Sequence, residues 1–333
     1  MTSVTVRVPA KINLQLAVGP LRPDGYHGLV TVFHAVSLFD ELTVVRAEAD
    51  SVTVTGEGAS LVPADGGNLA LRAVCALREA VAERASAAGT AGAGVALEAF
   101  DADDAGISRC GGAAVTIAKQ IPVAGGMAGG SADAAAALVA CNELWGTGLS
   151  REELCAVAGR VGSDVAFAVV GGTAIGQGRG EQLTPAPAAN AAYHWVLALA
   201  DGHLSTPAVF RELDRQRAAK AGQKIAGPEL SAELMAALSA GDPVRLGAAL
   251  SNDLQESALA LFPALRKTLE AGREAGALGA LVSGSGPTCF FLAGSAGEAA
   301  GLAVALSGTG ICREVVTATG PVPGARVVPS EKG

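Results

Sequence analysis

The stretch Pro122-Val123-Ala124-Gly125-Gly126-Met127-Ala128-Gly129-Gly130-Ser131-Ala132-Asp133-Ala134-Ala135 constrains this chain more than any other. Its glycines let a backbone turn sharply, take positive φ and come close to a ligand. Before it, Ala113-Ala114-Val115-Thr116-Ile117 reads as a strand; after it, the alanine-rich run from about Ser131 to Trp145 reads as a helix. A helix start offers unpaired N–H groups and the positive end of a dipole, so strand, glycine turn and helix together make a cradle for phosphate. The loop is not of the Walker type, because no lysine closes it, and it lacks the spacing of a dinucleotide fingerprint. On local grounds a flexible loop capped by Ser131 fits the same residues.

Charge narrows the ligand. The 333 residues carry a net charge of -8, which argues against nucleic acid or an anionic membrane as partner, since both need a basic face. Backbone N–H groups bear no formal charge, so an acidic chain can still hold phosphates. Half of the residues are hydrophobic, enough for two domains or for one large domain with an appendage. The six cysteines show no metal-ligand or redox spacing and read as reduced thiols. Met1 to Arg7 lacks the pattern of a signal peptide and no apolar run reaches membrane-spanning length, so a soluble, cytoplasmic protein is expected.

Along the chain, strands are expected over Val4–Val18, Leu29–Val36, Glu41–Val45 and Ser51–Thr55, then a helix from Asn68 to about Arg84 and a small-residue loop over Ser86–Gly94. Helices follow at Arg151–Val161 and from Ser163-Asp164 onward, and Pro185–Ala192 reads as a link. The second half mixes strands (Trp195–Ala200, Ala280–Val282, Cys289–Leu292) with helices (Pro207–Ala219, Glu229–Ala240, Pro263–Glu274). No regular βαβ rhythm appears, so the class is α+β.

In the first strand Lys11, Asn13 and Gln15 alternate with Ile12, Leu14 and Leu16 and so share the opposite face. A solvated edge-strand face is one reading. Past the turn, Arg22-Pro23-Asp24-Gly25-Tyr26-His27 offers a flat ring for stacking and an imidazole for hydrogen bonding, the means by which proteins hold a nucleobase. Tyr26 as a packing residue and His27 as a surface residue fit equally well.

Pro9-Ala10-Lys11-Ile12-Asn13-Leu14 with Arg22-Pro23-Asp24-Gly25-Tyr26-His27 resembles the opening motif of the diphosphocytidyl-methylerythritol kinases, a branch of the GHMP superfamily. The glycine loop resembles the second GHMP motif, and Leu281-Val282-Ser283-Gly284-Ser285-Gly286-Pro287-Thr288-Cys289-Phe290 the third. The resemblance implies a two-domain fold with its active site in the cleft: residues 1–172 binding ATP, 173–320 holding the substrate, and 321–333 a flexible tail. It implies phosphoryl transfer from ATP, with Mg²⁺, to the 2-hydroxyl of the methylerythritol moiety of CDP-methylerythritol. It leaves monomer and homodimer open. Another GHMP kinase, for homoserine or mevalonate, and a non-catalytic ligand sensor of the same fold are the alternatives.

Residue by residue, Asp164 in Gly162-Ser163-Asp164-Val165 matches the family's catalytic base, although on physical grounds alone it reads as a helix N-cap. The resemblance sets Lys11 beside it and gives Asn13 the substrate's polyol. Tyr26 and Phe210 would sandwich the cytosine while His27 reads its edge. The loop residues Pro122, Val123, Ala124, Gly125, Gly126, Met127, Ala128, Gly129, Gly130, Ser131 and Ala132 would hold the nucleotide, with Ser131 also a metal ligand. Ala124 and Ala128 stand where many members have glycine, a change the loop tolerates if neither position needs positive φ. Asp133 reads as a first-turn acid favourable to the helix dipole. The third motif reads either as a lid over the phosphates or as a tight hairpin, and Asn252-Asp253-Leu254-Gln255 as structural.

Overall fold

The computed structural model describes residues 2–91, 110–220 and 225–329. Its first half runs β1 (Ser3–Leu21), β2 (His27–Ala47), β3 (Ser51–Gly56), α1 (Leu69–Ala91), β4 (Gly112–Lys119), α2 (Gly129–Trp145), α3 (Arg151–Val161), α4 (Val165–Val170), β5 (Thr173–Gly178) and β6 (Gln182–Pro185). The two strands expected around Leu29 and Glu41 are one continuous strand, β2, paired antiparallel with β1 through three register shifts. β4 lies between β2 and β3, and β5 joins the other half of β2.

One face of β1 carries Val4, Val6, Val8, Ala10, Ile12 and Leu14 into a single core with α2. Alanine explains why α2 can lie there. Ala132, Ala134, Ala135, Ala136, Ala137 and Ala140 are all buried, and a helix apolar on every side belongs between layers, here the sheet and α1. Asn68 starts α1 as expected, its side chain accepting from the Ala70 N–H at 2.9 Å. The helix then continues to Ala91, so residues 86–91 are helical rather than a loop, and residues 92–94 of that expected loop lie outside the described residues.

The second half comprises β7 (Tyr193–Leu199), α5 (Thr206–Ala219), α6 (Ala232–Ala240), α7 (Pro243–Ala249), β8 (Ser251–Asn252), α8 (Gln255–Leu261), α9 (Ala264–Glu274), β9 (Gly279–Val282), β10 (Cys289–Ala293), α10 (Ala296–Gly308), β11 (Glu314–Gly320) and β12 (Arg326–Val327). Its own sheet has the order β11-β7-β10-β9, antiparallel throughout.

Three features depart from expectation. β5 and β6 extend the first sheet, so a boundary at residue 172 would cut it, and we propose the division at the 186–192 link instead. The segment after residue 320 is not a free tail up to Val327. β12 pairs with β1 at Val6 and Arg7, and Ala325 is fully buried. Nor is the polar face of β1 solvated. Lys11, Asn13 and Gln15 are buried, and Gln15 accepts from the Ser231 N–H at 3.0 Å while donating to the Glu229 carbonyl at 2.7 Å. The second half covers this face, which puts Lys11 and Asn13 at the junction of the two halves.

Candidate active site

The glycine loop and the third motif grip each other. Gly126 has φ 77°, and a Cβ there would stand 2.1 Å from the Ser283 carbonyl oxygen, so only glycine fits. The Ser283 hydroxyl donates to the Gly126 carbonyl at 3.0 Å, and the Thr288 N–H to that of Gly125 at 3.2 Å. Asn252 steadies the third motif from behind, donating to the carbonyls of Val282 and Gly284 at 2.8 and 2.7 Å. The third motif is therefore more than a hairpin: it docks on the phosphate loop and borders its cavity through Gly284 and Ser285.

α2 begins earlier than the residues suggest. Ala128 occupies the cap position in left-handed conformation, φ 59°, with no side-chain cap, so Ser131 lies inside the first turn and does not cap it. Ala124 is left-handed too, φ 53°. Both alanines thus sit where positive φ is required, contrary to the condition under which their substitution for glycine is free. The uncapped start of this helix opens on a cavity of about 440 Å³ bordered by residues of both halves, among them Lys11, Asn13, Gly129, Ser131, Asp164 and Phe210.

Lys11 and Asp164 meet in that cavity at 3.7 Å. The Lys11 ammonium also donates to Asn13 Oδ1 at 2.7 Å and to the Gly126 carbonyl at 3.2 Å. Asn13 is fixed in turn by donating to Thr31 Oγ1 at 2.8 Å. Burial pulls the Lys11 ammonium below the ordinary lysine range, and the Asp164 carboxylate opposes that pull. Asp164 stands immediately before α4, yet its side chain makes no capping hydrogen bond. Its carboxylate is about one-third exposed.

The far end of the cavity is less close to expectation. Phe210, on α5, borders it, but the ring stacked on Phe210 is that of His27, 5.3 Å away and inclined by 24°. Both nitrogens of His27 are engaged: Nδ1 with the Gly19 carbonyl at 2.9 Å, and Nε2 with Asp214 at 3.4 Å. The imidazole therefore backs Phe210 and offers no free edge to a base. Tyr26 is 53% exposed, and the Arg179 guanidinium lies over its ring at 4.6 Å.

A buried ion triad under the glycine loop had no counterpart in the sequence reading. The Lys119 ammonium donates to Asp40 at 2.6 Å and to Asp133 at 2.7 Å, all three residues being nearly inaccessible. Asp133 is thus a buried ion-pair partner and not a solvated acid on the helix dipole. Burial raises its carboxyl to about 7 against the pull of Lys119. Burial also works against the Lys119 charge, but the two carboxylates outweigh it and hold the ammonium above its ordinary value. Lys119 and Asp133 border a second pocket of about 150 Å³, shared with Val62, Pro63, Asn68 and Leu69.

Among the described residues, no group of three His, Cys, Asp or Glu side chains could hold a metal ion. The oxygen donors bordering the cavity include the Ser131 hydroxyl and the Asp164 carboxylate. That set suits Mg²⁺ carried in by phosphates, which takes only one or two protein ligands.

Comparison with known proteins places this geometry. The models for the GHMP kinases N terminal domain and the GHMP kinases C terminal domain match residues 93–172 and 234–312. The chain is 55% identical to a 4-diphosphocytidyl-2-C-methyl-D-erythritol kinase of Thermobifida fusca, over 98% of this chain and 99% of that one. To its counterpart in Salinispora tropica it is 53% identical, over 97% of this chain and 94% of that one. The chain belongs to the 4-diphosphocytidyl-2-C-methyl-D-erythritol kinase family. A crystal structure of a 4-(cytidine 5'-diphospho)-2C-methyl-D-erythritol kinase superimposes with a TM-score of 0.69 at 29% identity, covering 94% of this chain and 98% of that one. A homoserine kinase from Cytophaga hutchinsonii shares the fold, with a TM-score of 0.67 at 18% identity, covering 98% of both chains. As a GHMP kinase, the chain uses ATP as co-substrate. No helix among the described residues is long and apolar enough to cross a membrane.

Proposed function

We propose that this chain transfers the γ-phosphoryl group of ATP to the 2-hydroxyl of 4-diphosphocytidyl-2-C-methyl-D-erythritol. The products are the 2-phosphate and ADP, a step of the non-mevalonate isoprenoid pathway, carried out in the cytoplasm where ATP is available. The observation that carries the reading is Asp164 beside Lys11, facing the uncapped start of α2 across one cavity.

Phosphoryl transfer asks a protein mainly for positioning and for charge stabilisation. The N–H groups at the start of α2 hold the triphosphate, and the adenine enters the pocket beside Lys119 and Asn68. Asp164 accepts the proton of the attacking hydroxyl. Lys11 draws charge off the hydroxyl oxygen, while Asn13 orients the polyol through its amide, whose tilt Thr31 fixes. Ser131, with Asp164 in reach, would hold a Mg²⁺ brought in by the phosphates, and that ion would offset negative charge on the transferred group. The cytosine stacks between Tyr26 and Phe210, and His27 supports Phe210 from the other side.

The purified protein, ATP, Mg²⁺ and a panel of acceptors test the reading. Phosphorylation of CDP-methylerythritol alone supports it; equal or better turnover of homoserine or mevalonate would replace it, and no turnover of any acceptor would favour a ligand sensor.

A further inference from the structure

The acceptor proposed above carries a diphosphate, and it must enter a cavity next to a second, more highly charged polyphosphate. Two residues bordering that cavity are cationic, Lys11 and Arg179. Lys11 is committed: it is buried, bonded to Asn13 and Gly126, and paired with Asp164. Arg179 is not. Among the described residues its guanidinium has no carboxylate at salt-bridge distance, and the neighbouring Asp24 is already tied to Arg22 at 2.8 Å. Its guanidinium lies over the ring of Tyr26, and its charge also reaches the Asp24 carboxylate.

The backbone presents this side chain deliberately. Arg179 sits at the tip of the β5–β6 hairpin between Gly178 and Gly180, whose φ values of 75° and 105° turn the chain over. The Glu181 carboxylate accepts from the Arg179 N–H at 2.6 Å, fixing the tip while the guanidinium keeps no carboxylate at salt-bridge distance among the described residues. A planar fork of donors suits two phosphate oxygens better than an ammonium would. The tip adjoins Tyr26 on one side and shares a cavity with Asp164 on the other. A diphosphate linking a base at Tyr26 to a hydroxyl at Asp164 has to pass it.

We infer that Arg179 binds the diphosphate of the acceptor and is the residue that makes this site prefer a nucleoside diphosphate to a nucleoside. The inference rests on the acceptor reading under Proposed function. In this arrangement the guanidinium trades its place over Tyr26 for the phosphate oxygens as the cytosine takes that ring.

Calorimetry with cytidine and with CDP tests this on the full-length protein, with the glycine loop filled by a saturating non-hydrolysable ATP analogue. The wild type should bind CDP about ten- to a hundredfold more tightly than cytidine, the worth of a charge-assisted contact. Arg179→Gln should bring the two within about threefold by weakening CDP alone, and should flatten the salt dependence of CDP binding. Arg179→Lys should recover part of the difference. Unchanged CDP affinity in Arg179→Gln would overturn the assignment, and so would an equal loss for cytidine and CDP, which would make Arg179 a support for Tyr26. A wild type that binds the ATP analogue but neither cytidine nor CDP would sink the acceptor reading itself, and the inference with it.

Discussion

Asp164 stands at the cap position of α4 and makes no capping bond; instead its carboxylate faces the Lys11 ammonium at 3.7 Å. An aspartate in that position ordinarily satisfies the first helical N–H groups. Here the helix start goes without, and the carboxylate stays available to a substrate. Lys11 approaches from a different strand, β1, so the pair exists only because α4 packs against β1.

Lys11 should leave a mark on the pH profile. Burial sets its pKa below the ordinary 10.5, so the free enzyme loses the required cation at lower pH than a solvated lysine would. The profile of kcat/KM should therefore carry an alkaline limb below 10.5. With both anionic substrates bound, the limb of kcat should lie higher, because their charge favours the ammonium. Lys11→Met should lower kcat and remove the limb. A limb of the same position in Lys11→Met would belong to another group.

Phe210 and Tyr26 should matter to the acceptor and not to ATP. Stacking on a base is worth about 1–3 kcal/mol, so either alanine variant should lower kcat/KM for the acceptor by roughly 5- to 150-fold. Tyr26→Phe should be mild, since the flat face survives. His27→Ala should mimic a partial loss of Phe210, because its ring backs Phe210 and its nitrogens are occupied. A rise in ATP KM with acceptor parameters unchanged would move these residues to the nucleotide site.

Left-handed alanine costs about 1 kcal/mol or more, which glycine avoids. Ala128→Gly and Ala124→Gly should each stabilise the fold by up to about 1 kcal/mol in urea unfolding, less the extra freedom glycine gives the unfolded chain. Ala128→Val should destabilise by more than about 1 kcal/mol, as a β-branched residue at positive φ is heavily strained. A valine variant as stable as the wild type would show that the loop adopts another conformation.

Lys119 holds two buried carboxylates. Lys119→Met leaves them facing each other without a cation, and breaking such a pair costs about 3–5 kcal/mol. The chemical denaturation midpoint should drop accordingly at neutral pH, and the loss should shrink toward acid pH as Asp133, with its raised pKa near 7, takes up a proton. A loss under about 1 kcal/mol at pH 8 would show that water reaches the triad.

What could be read in advance was whatever lies in one stretch of chain. The alternation of Lys11, Asn13 and Gln15 is a local fact, and so are the glycine loop and the alanine run behind it. The fold class followed from the mix of strand and helix patterns along the chain, and the family resemblance from three short motifs. The Lys119 triad joins residues 79 and 14 positions apart, and nothing near any of the three announces the others. Arg179 is a single arginine in a glycine turn, and its position over Tyr26 depends on β5 pairing with β2. The same long-range pairing carried the first sheet past residue 172 and drew β12 back onto β1. Positive φ at Ala124 and Ala128 was hidden for another reason: alanine, unlike glycine, gives no sign of it.

Turnover of Asp164→Asn with ATP, Mg²⁺ and CDP-methylerythritol tests most directly whether Asp164 takes the proton of the hydroxyl that ATP phosphorylates. Asparagine keeps the shape and can still begin a helix, so folding and ATP affinity should change little. With Asp164 as the base, kcat should fall by about 10²- to 10⁴-fold, the usual worth of general base catalysis. Turnover within a few fold of the wild type would contradict it.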